Sequence, residues 1–282
     1  MTQRHRIVPQ RHKSPFRPAP ESAKIGDREA QQQIRRFYQT LVSAWGPQNW
    51  WPAESPFEMI VGAFLTQNTA WTNVEKALHN LRTADALSLN AIRMIALRDL
   101  EQLIRPAGYF RQKSERLKLF VQFLDERYGS SLERMYAEPG ETLRAGLLGL
   151  KGIGPETADS ILLYGGNHSV FVVDAYARRI VERHSILPAD AHYEEIRWLF
   201  EQALTPIAGT DAIPASMHAS PLEPLWTPTH PPSALSSALR PRAAQTFNEM
   251  HALIVEVGKN YCRKSKPLCD QCPLGQFLES RL

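Results

Sequence analysis

From residue 30 onward the apolar residues recur at three- and four-residue spacing, and hardly any stretch alternates residue by residue. That period belongs to an α-helix with one buried face, so an all-α fold is expected. Ser55-Pro56-Phe57-Glu58 supplies a hydroxyl cap, a proline at the first helical position and a glutamate three residues after the cap. Thr72-Asn73-Val74-Glu75 has the form of a second capping box, so helices are predicted to begin near 56 and 73. Others are predicted over about 90–105, 111–128 and 141–149, with Gly108 and Gly129 as C-terminal stops. Leu117, Phe120, Val121 and Leu124 mark one buried face. Between the first two helices, Thr66-Gln67-Asn68-Thr69-Ala70-Trp71 forms a short polar connection of the kind that often carries function.

With 43% hydrophobic residues in 282, the chain can build one large domain or two modest ones. Its longest apolar runs, Ile161 to Tyr164 and Val170 to Val173, fall far short of the roughly 20 residues that span a bilayer. No membrane partner is therefore expected. Residues 1–28 hold seven Lys or Arg against Glu21 and Asp27, a net of +5 in a chain whose total is +4. The prolines among those charges, and the lack of an apolar core, predict a disordered basic arm rather than a secretory leader. Residues 205–243 carry eight prolines and few charges, and are predicted to be a disordered insertion. Helical periodicity resumes near 244 through Phe247, Met250, Leu253, Ile254 and Val257. A cytoplasmic, nucleoid-associated monomer is the expected setting.

Leu150-Lys151-Gly152-Ile153-Gly154-Pro155-Glu156-Thr157-Ala158 joins two helical segments through a Gly-x-Gly turn. Glycines there permit positive φ, and the peptide N–H groups at the turn can hold a phosphate oxygen. The tripeptide alone describes an ordinary helical turn. With Leu150 before it, Ala158 for close packing, and Ile161 and Leu162 following, the segment resembles the helix-hairpin-helix motif, with Lys151, Gly152 and Gly154 as candidate phosphate-binding residues. The motif also serves modules that catalyse nothing, so chemistry must come from elsewhere.

Asp174 ends the apolar run Val170-Phe171-Val172-Val173 and opens a helical stretch, so its simplest role is an N-cap. Here the chain resembles the endonuclease III (helix-hairpin-helix) DNA glycosylase superfamily, from about residue 30 to 275 apart from the inserted loop. In that superfamily the hairpin is followed by an apolar segment and then an essential aspartate. The resemblance implies a two-lobed all-α fold, a six-helix bundle over 55–165, and a second lobe joining 30–54 to 166–282, with double-stranded DNA in the cleft. Asp174 would be the catalytic carboxylate. Lyase members carry a lysine eighteen residues before that aspartate, and here the position is Glu156. A glutamate cannot form the imine that strand cleavage needs, so water would be the nucleophile and the enzyme monofunctional.

Trp50-Trp51-Pro52, the Leu-Thr-Gln-Asn-Thr segment and Trp71 are similar to the 3-methyladenine DNA glycosylases of the endonuclease III type. By that resemblance Trp51 and Trp71 would sandwich a flipped alkylated purine, with Trp50 beside them, and Gln67 would fill the gap in the duplex or contact its bases. A cationic methylated base is attracted to electron-rich rings and leaves readily. Cys262-x6-Cys269-x2-Cys272 resembles the first three ligands of that family's iron-sulfur loop, which implies a [4Fe-4S] cluster; the fourth position is Leu278, which leaves three readings, a cluster with one non-cysteine or exchangeable ligand, a three-iron cluster, or a site that no longer holds metal. The basic residues Arg111, Lys113, Arg116 and Lys118, and the loop residues Arg263, Lys264 and Lys266, are candidate backbone contacts. The competing readings are a bifunctional glycosylase and lyase, which Glu156 opposes, and a non-catalytic damage binder, which Asp174 at the family spacing opposes.

Overall fold

The computed structural model describes residues 26–209 and 231–278, and among these the regular structure is helical. Most of the predicted basic arm and residues 210–230 of the predicted insertion lie outside the described residues. Helix α1 (Gly26–Trp45) is followed by α2 (Pro56–Thr66), α3 (Trp71–Thr83), α4 (Leu89–Met94), α5 (Leu97–Leu103), α6 (Phe110–Tyr128), α7 (Leu132–Tyr136), α8 (Gly140–Leu148) and α9 (Pro155–Ser160). A π turn, Ile161–Gly165, extends α9, and then come α10 (Ala175–Arg183), α11 (Tyr193–Gly209) and α12 (Arg242–Asn260). Two sets of contacts organise these helices. α1, α11 and α12 pack together with α10 against α12, while α2 packs on α3, α6, α9 and the π turn. The chain thus leaves the first set after α1 and returns to it at α10, with the π turn touching α12.

Ser55 caps α2 as its sequence predicts, its Oγ accepting from Glu58 N at 3.2 Å. The box at Thr72 is not used. α3 starts at Trp71 with Ala70 as a cap that makes no side-chain bond, and Glu75 instead accepts from Trp71 Nε1 at 2.9 Å. The helix expected over 90–105 is broken at Ile95 and Ala96 into α4 and α5. Lys118 offsets the break, because its Nζ donates to the carbonyls of Arg93 and Ile95 that the ending helix frees. With this division and the unforeseen α7, eight α-helices lie between 55 and 165, besides a 3-10 turn at Arg105–Ala107 and the π turn. Gly129 does stop α6, at φ 56°.

The disorder expected over 205–243 needs correction at both ends. Residues 205–209 continue α11, and residues 231–241 pack on the segment before α2. Ser233 Oγ donates to Trp51 O at 3.0 Å, Leu235 N to Ala53 O at 3.3 Å, and Leu235 is buried. Proline-, serine- and alanine-rich composition reads as disorder. Here the serines satisfy the backbone locally, Ser233 N donating to Ser236 Oγ at 2.8 Å and Ser236 N to Ser233 Oγ at 3.1 Å.

Candidate active site

Residues 170–173 are buried without a neighbouring strand, so their polar backbone groups need side-chain partners. Phe171 N donates to Glu201 Oε1 at 3.0 Å, and Val173 N to Tyr193 Oη at 3.2 Å. Tyr193 donates in turn to Asp159 Oδ2 at 2.9 Å, and Arg144 holds Asp159 at 2.6 and 3.0 Å. Arg144 also bonds Glu194 at 2.7 Å, while Arg197 bridges Glu194 and Glu201 at 2.8 and 2.9 Å. This network ties the apolar run to α8, α9 and α11, and so fixes where the run ends.

It ends at Asp174, whose Oδ1 accepts from Tyr176 N at 3.0 Å and Ala177 N at 2.7 Å. The observed N-cap does not exclude the catalytic reading, because capping immobilises one oxygen and leaves Oδ2 for other work. That oxygen faces His251 Nε2 across 3.7 Å. His251 is buried and its Nδ1 shares a hydrogen bond with the Tyr164 hydroxyl. Burial lowers the pKa of His251 against the opposing pull of Asp174. Burial, reinforced by the Asp174 charge, holds the Tyr164 proton in place well above the ordinary range. Neither residue was found from sequence, although a histidine on the otherwise apolar face of α12 was the available signal.

The hairpin between α8 and α9 turns through Ile153 N to Leu150 O at 3.1 Å, with Gly152 at φ 88°. That conformation favours glycine, and a Cβ there would also displace the Arg116 side chain, whose Nε lies 2.1 Å from its position. Lys151 and Gly154 are exposed at its tip. Glu156 follows in the first turn of α9, open to solvent on one side and crowded by protein on the other. That desolvation, and after it the charge of Asp174, push its carboxyl up to about 7. The two carboxylates therefore sense each other across the site.

Gln67 is not free to reach into a duplex in this conformation. Its Nε2 donates to Thr157 Oγ1 at 2.9 Å and Gly152 O at 3.2 Å, and its Oε1 accepts from Arg116. Three of the basic residues expected at phosphate are likewise engaged inside the protein, Arg116 through that bond to Gln67. Lys113 is buried with its Nζ donating to Leu65 O, Thr69 Oγ1 and Ala107 O at 2.8, 2.6 and 2.8 Å, and Lys118 holds the end of α4. Arg111, Arg263, Lys264 and Lys266 remain exposed.

Trp50, Trp51 and Trp71 form one aromatic wall. Trp51 is buried and packs 5.1 Å from Tyr164, and its ring lies 5.3 Å from Trp71 at 83°. Two rings in edge-to-face contact leave no slot between them, so the expected sandwich of a base by Trp51 and Trp71 is not present in this conformation. Trp50 lies 5.9 Å from Trp71 and carries Lys259 Nζ 5.7 Å from its ring centre.

Cys262, Cys269, Cys272 and Leu278 line one cavity with Arg183 and His184. Arg183 Nη1 donates to Cys262 Sγ at 3.0 Å, and Arg179 Nε to Cys262 O at 2.6 Å. Three thiols and one apolar side chain thus face the same cavity. Among the described residues no group of three or more His, Cys, Asp or Glu is arranged to hold a single metal ion.

Comparison with known proteins gives concordant matches. A family model described as HhH-GPD superfamily base excision DNA repair protein matches residues 61–206. A protein of Methanocaldococcus jannaschii, provisionally described as a DNA repair glycosylase, is 40% identical over 250 residues, covering 88% of this chain and 96% of its own. Endonuclease III of Thermotoga maritima is 26% identical over 228 residues, 79% of this chain and 83% of that one. Among solved structures, the Helicobacter pylori 3-methyladenine DNA glycosylase bound to 1,N6-ethenoadenine superposes with a TM-score of 0.62 at 27% identity, over 82% of this chain and 97% of the other. An endonuclease III trapped as a covalent DNA intermediate gives a TM-score of 0.61 at 19% identity, over 86% and 93%, a likeness of fold alone.

Proposed function

The chain belongs to the HhH-GPD superfamily of base excision DNA repair proteins, a DNA N-glycosylase, and from that premise we propose that it is a monofunctional enzyme for alkylated purines. The observation that carries the monofunctional reading is the occupant of the site beside Asp174. A carboxyl group, Glu156, stands where an imine-forming amine would be required. Base release then proceeds by water. The glycosidic bond breaks with its electron pair leaving on the base, and Asp174 Oδ2 stabilises the sugar cation while Oδ1 stays pinned to α10. Glu156, poised near neutrality, sits within electrostatic reach to take the proton of the attacking water.

Double-stranded DNA carrying the damaged base is the proposed partner, positioned by the tip of the hairpin at Lys151, Gly152 and Gly154. The aromatic wall supports the base preference. A cationic methylated purine stacks on electron-rich rings, and Trp50 and Trp71, both partly exposed, flank the buried Trp51. Gln67 reaches the duplex only by exchanging its bonds to Thr157, Gly152 and Arg116 for contacts with DNA.

Duplexes bearing one 3-methyladenine or one oxidised pyrimidine, assayed for strand breaks before and after alkali, test this function. The expected result is alkali-dependent breaks at 3-methyladenine and no borohydride-trapped adduct. Breaks without alkali, with an adduct forming at the rate of base release, would make the enzyme bifunctional, with Lys151 the amine to substitute first.

The cofactor reading that the three thiols support is a [4Fe-4S] cluster, which Cys262, Cys269 and Cys272 would hold; Leu278, in the position of a fourth ligand, lines the same cavity and offers no thiolate. When bound, it would cross-link the loop after α12 and hold Arg263, Lys264 and Lys266 in place; base excision does not pass through it. Anaerobically purified protein should hold about four iron and four sulfide per chain. Iron-free protein of unchanged fold and stability would refute the cluster.

A further inference from the structure

Behind the aspartate lies a relay of side chains that joins it to the base-binding wall. Tyr164, in the π turn, packs 5.1 Å from Trp51 and hydrogen-bonds His251 Nδ1, and His251 Nε2 faces Asp174 Oδ2 at 3.7 Å. His251 Nε2 is buried with no hydrogen-bond partner. A buried ring nitrogen left without a partner is costly unless something completes it. The group it faces is the carboxylate oxygen that the N-cap bonds leave available.

Resting on the glycosylase reading above, we propose that His251 is a positioning residue for base excision: a neutral imidazole protonated on Nε2, it directs Asp174 Oδ2 at the sugar and is itself locked by Tyr164. The tautomer follows from what surrounds the ring. Tyr164 keeps its proton, so it donates to Nδ1 and leaves the ring proton on Nε2. The opposite tautomer would set a lone pair against a carboxylate oxygen. Burial keeps the imidazole uncharged, and that matters for the chemistry. An imidazolium would neutralise the charge that must face the sugar cation, whereas a neutral N–H orients the oxygen and leaves its charge in place. The 3.7 Å separation closes to a hydrogen bond when bound DNA fills the site, as catalytic contacts in empty sites commonly do. Because Tyr164 also touches Trp51, a base pressing on the wall bears on the same chain of contacts. Among charged groups, Asp174 acts on His251, while Asp174, Glu156 and Arg240 act on Tyr164.

Two measurements on the full chain test the proposal separately from the enzyme's function. Long-range proton–nitrogen correlation spectra of protein labelled with nitrogen-15 at histidine report the tautomer directly. The neutral Nε2–H pattern is expected for His251 from pH 6 to 8, and in Tyr164→Phe it should give way to a mixture. An Nδ1–H form or an imidazolium over that range overturns the proposal even if base release is as expected. In single-turnover assays on methylated duplex, His251→Leu should slow base release by about 10-fold or more, the scale on which groups that orient a reacting ligand act. Its DNA affinity should stay within about two-fold, and His251→Gln, which keeps a donor, should recover most of the rate. Equal rates in wild type and a folded His251→Leu sink the proposal, as does failure of His251→Gln to exceed it. Should His251→Leu not fold, the spectra and Tyr164→Phe decide. Should the wild type release no alkylated base, the functional reading fails and the tautomer result still stands.

Discussion

At the scale of single residues, two neighbouring carboxyl groups behave differently because their surroundings differ. Asp174 spends one oxygen on the N-terminus of α10, and Glu156 is held at about 7 by desolvation and by its neighbour's charge. A carboxyl whose folded pKa lies above its ordinary 4.5 binds its proton more tightly folded than unfolded, so its effect on stability worsens as pH rises between those values. Glu156→Gln removes that burden. Its melting temperature relative to wild type should rise from pH 5 to pH 8 and then level off; a difference that is flat or falls over that window would contradict the assigned pKa. Asp174 and Glu156 were both legible in the sequence, because their spacing from the hairpin is local and covalent. His251 and Tyr164 were not, since their meeting spans 87 residues and no periodicity encodes it.

Among the elements, the segment leading to Asp174 shows how a run of four apolar residues stays buried without a sheet. Its N–H groups borrow acceptors from α11, and Arg144, with Asp159, anchors those acceptors to α8 and α9. Asp159→Ala leaves Arg144 buried against Glu194 alone and removes the acceptor for Tyr193. Removing one partner of a buried pair costs roughly 3–5 kcal/mol, which urea unfolding should register along with slower base release. A loss below about 1 kcal/mol would show that the network does not anchor the segment. The helices themselves were readable from their 3.6-residue period and from Ser55 and Gly129. The break at Ile95 was not, because Lys118, a residue on another helix, stabilises the freed carbonyls. Glu75 likewise had two possible partners, and the Trp71 indole took it in place of the cap. Close packing is equally invisible in sequence: a Cβ on Gly258 would lie 2.1 Å from the Tyr176 ring, so α12 needs that glycine where α10 crosses it.

For the whole molecule, α12 and the residues before it bring distant parts of the chain to one place: Ser233 to Trp51, Tyr164 to His251, and His251 to Asp174. Composition suggested that residues 231–241 were disordered, yet they brace the wall on which the base is proposed to stack. The aromatic sandwich was inferred from residue types that do meet, but the angle at which they meet was not in the sequence. These contacts join Asp174, through His251 and Tyr164, to Trp51 and the residues that brace it, so the proposed chemistry turns on that one carboxylate. The most direct measurement is single-turnover release of 3-methyladenine by Asp174→Asn beside its affinity for the same duplex. The amide keeps a carbonyl oxygen for the N–H groups of α10 but carries no charge for the sugar cation. Release should fall by at least about 100-fold, the scale set by loss of one preorganised electrostatic group, with DNA affinity nearly unchanged. A folded Asp174→Asn that releases the base at the wild-type rate would contradict the account.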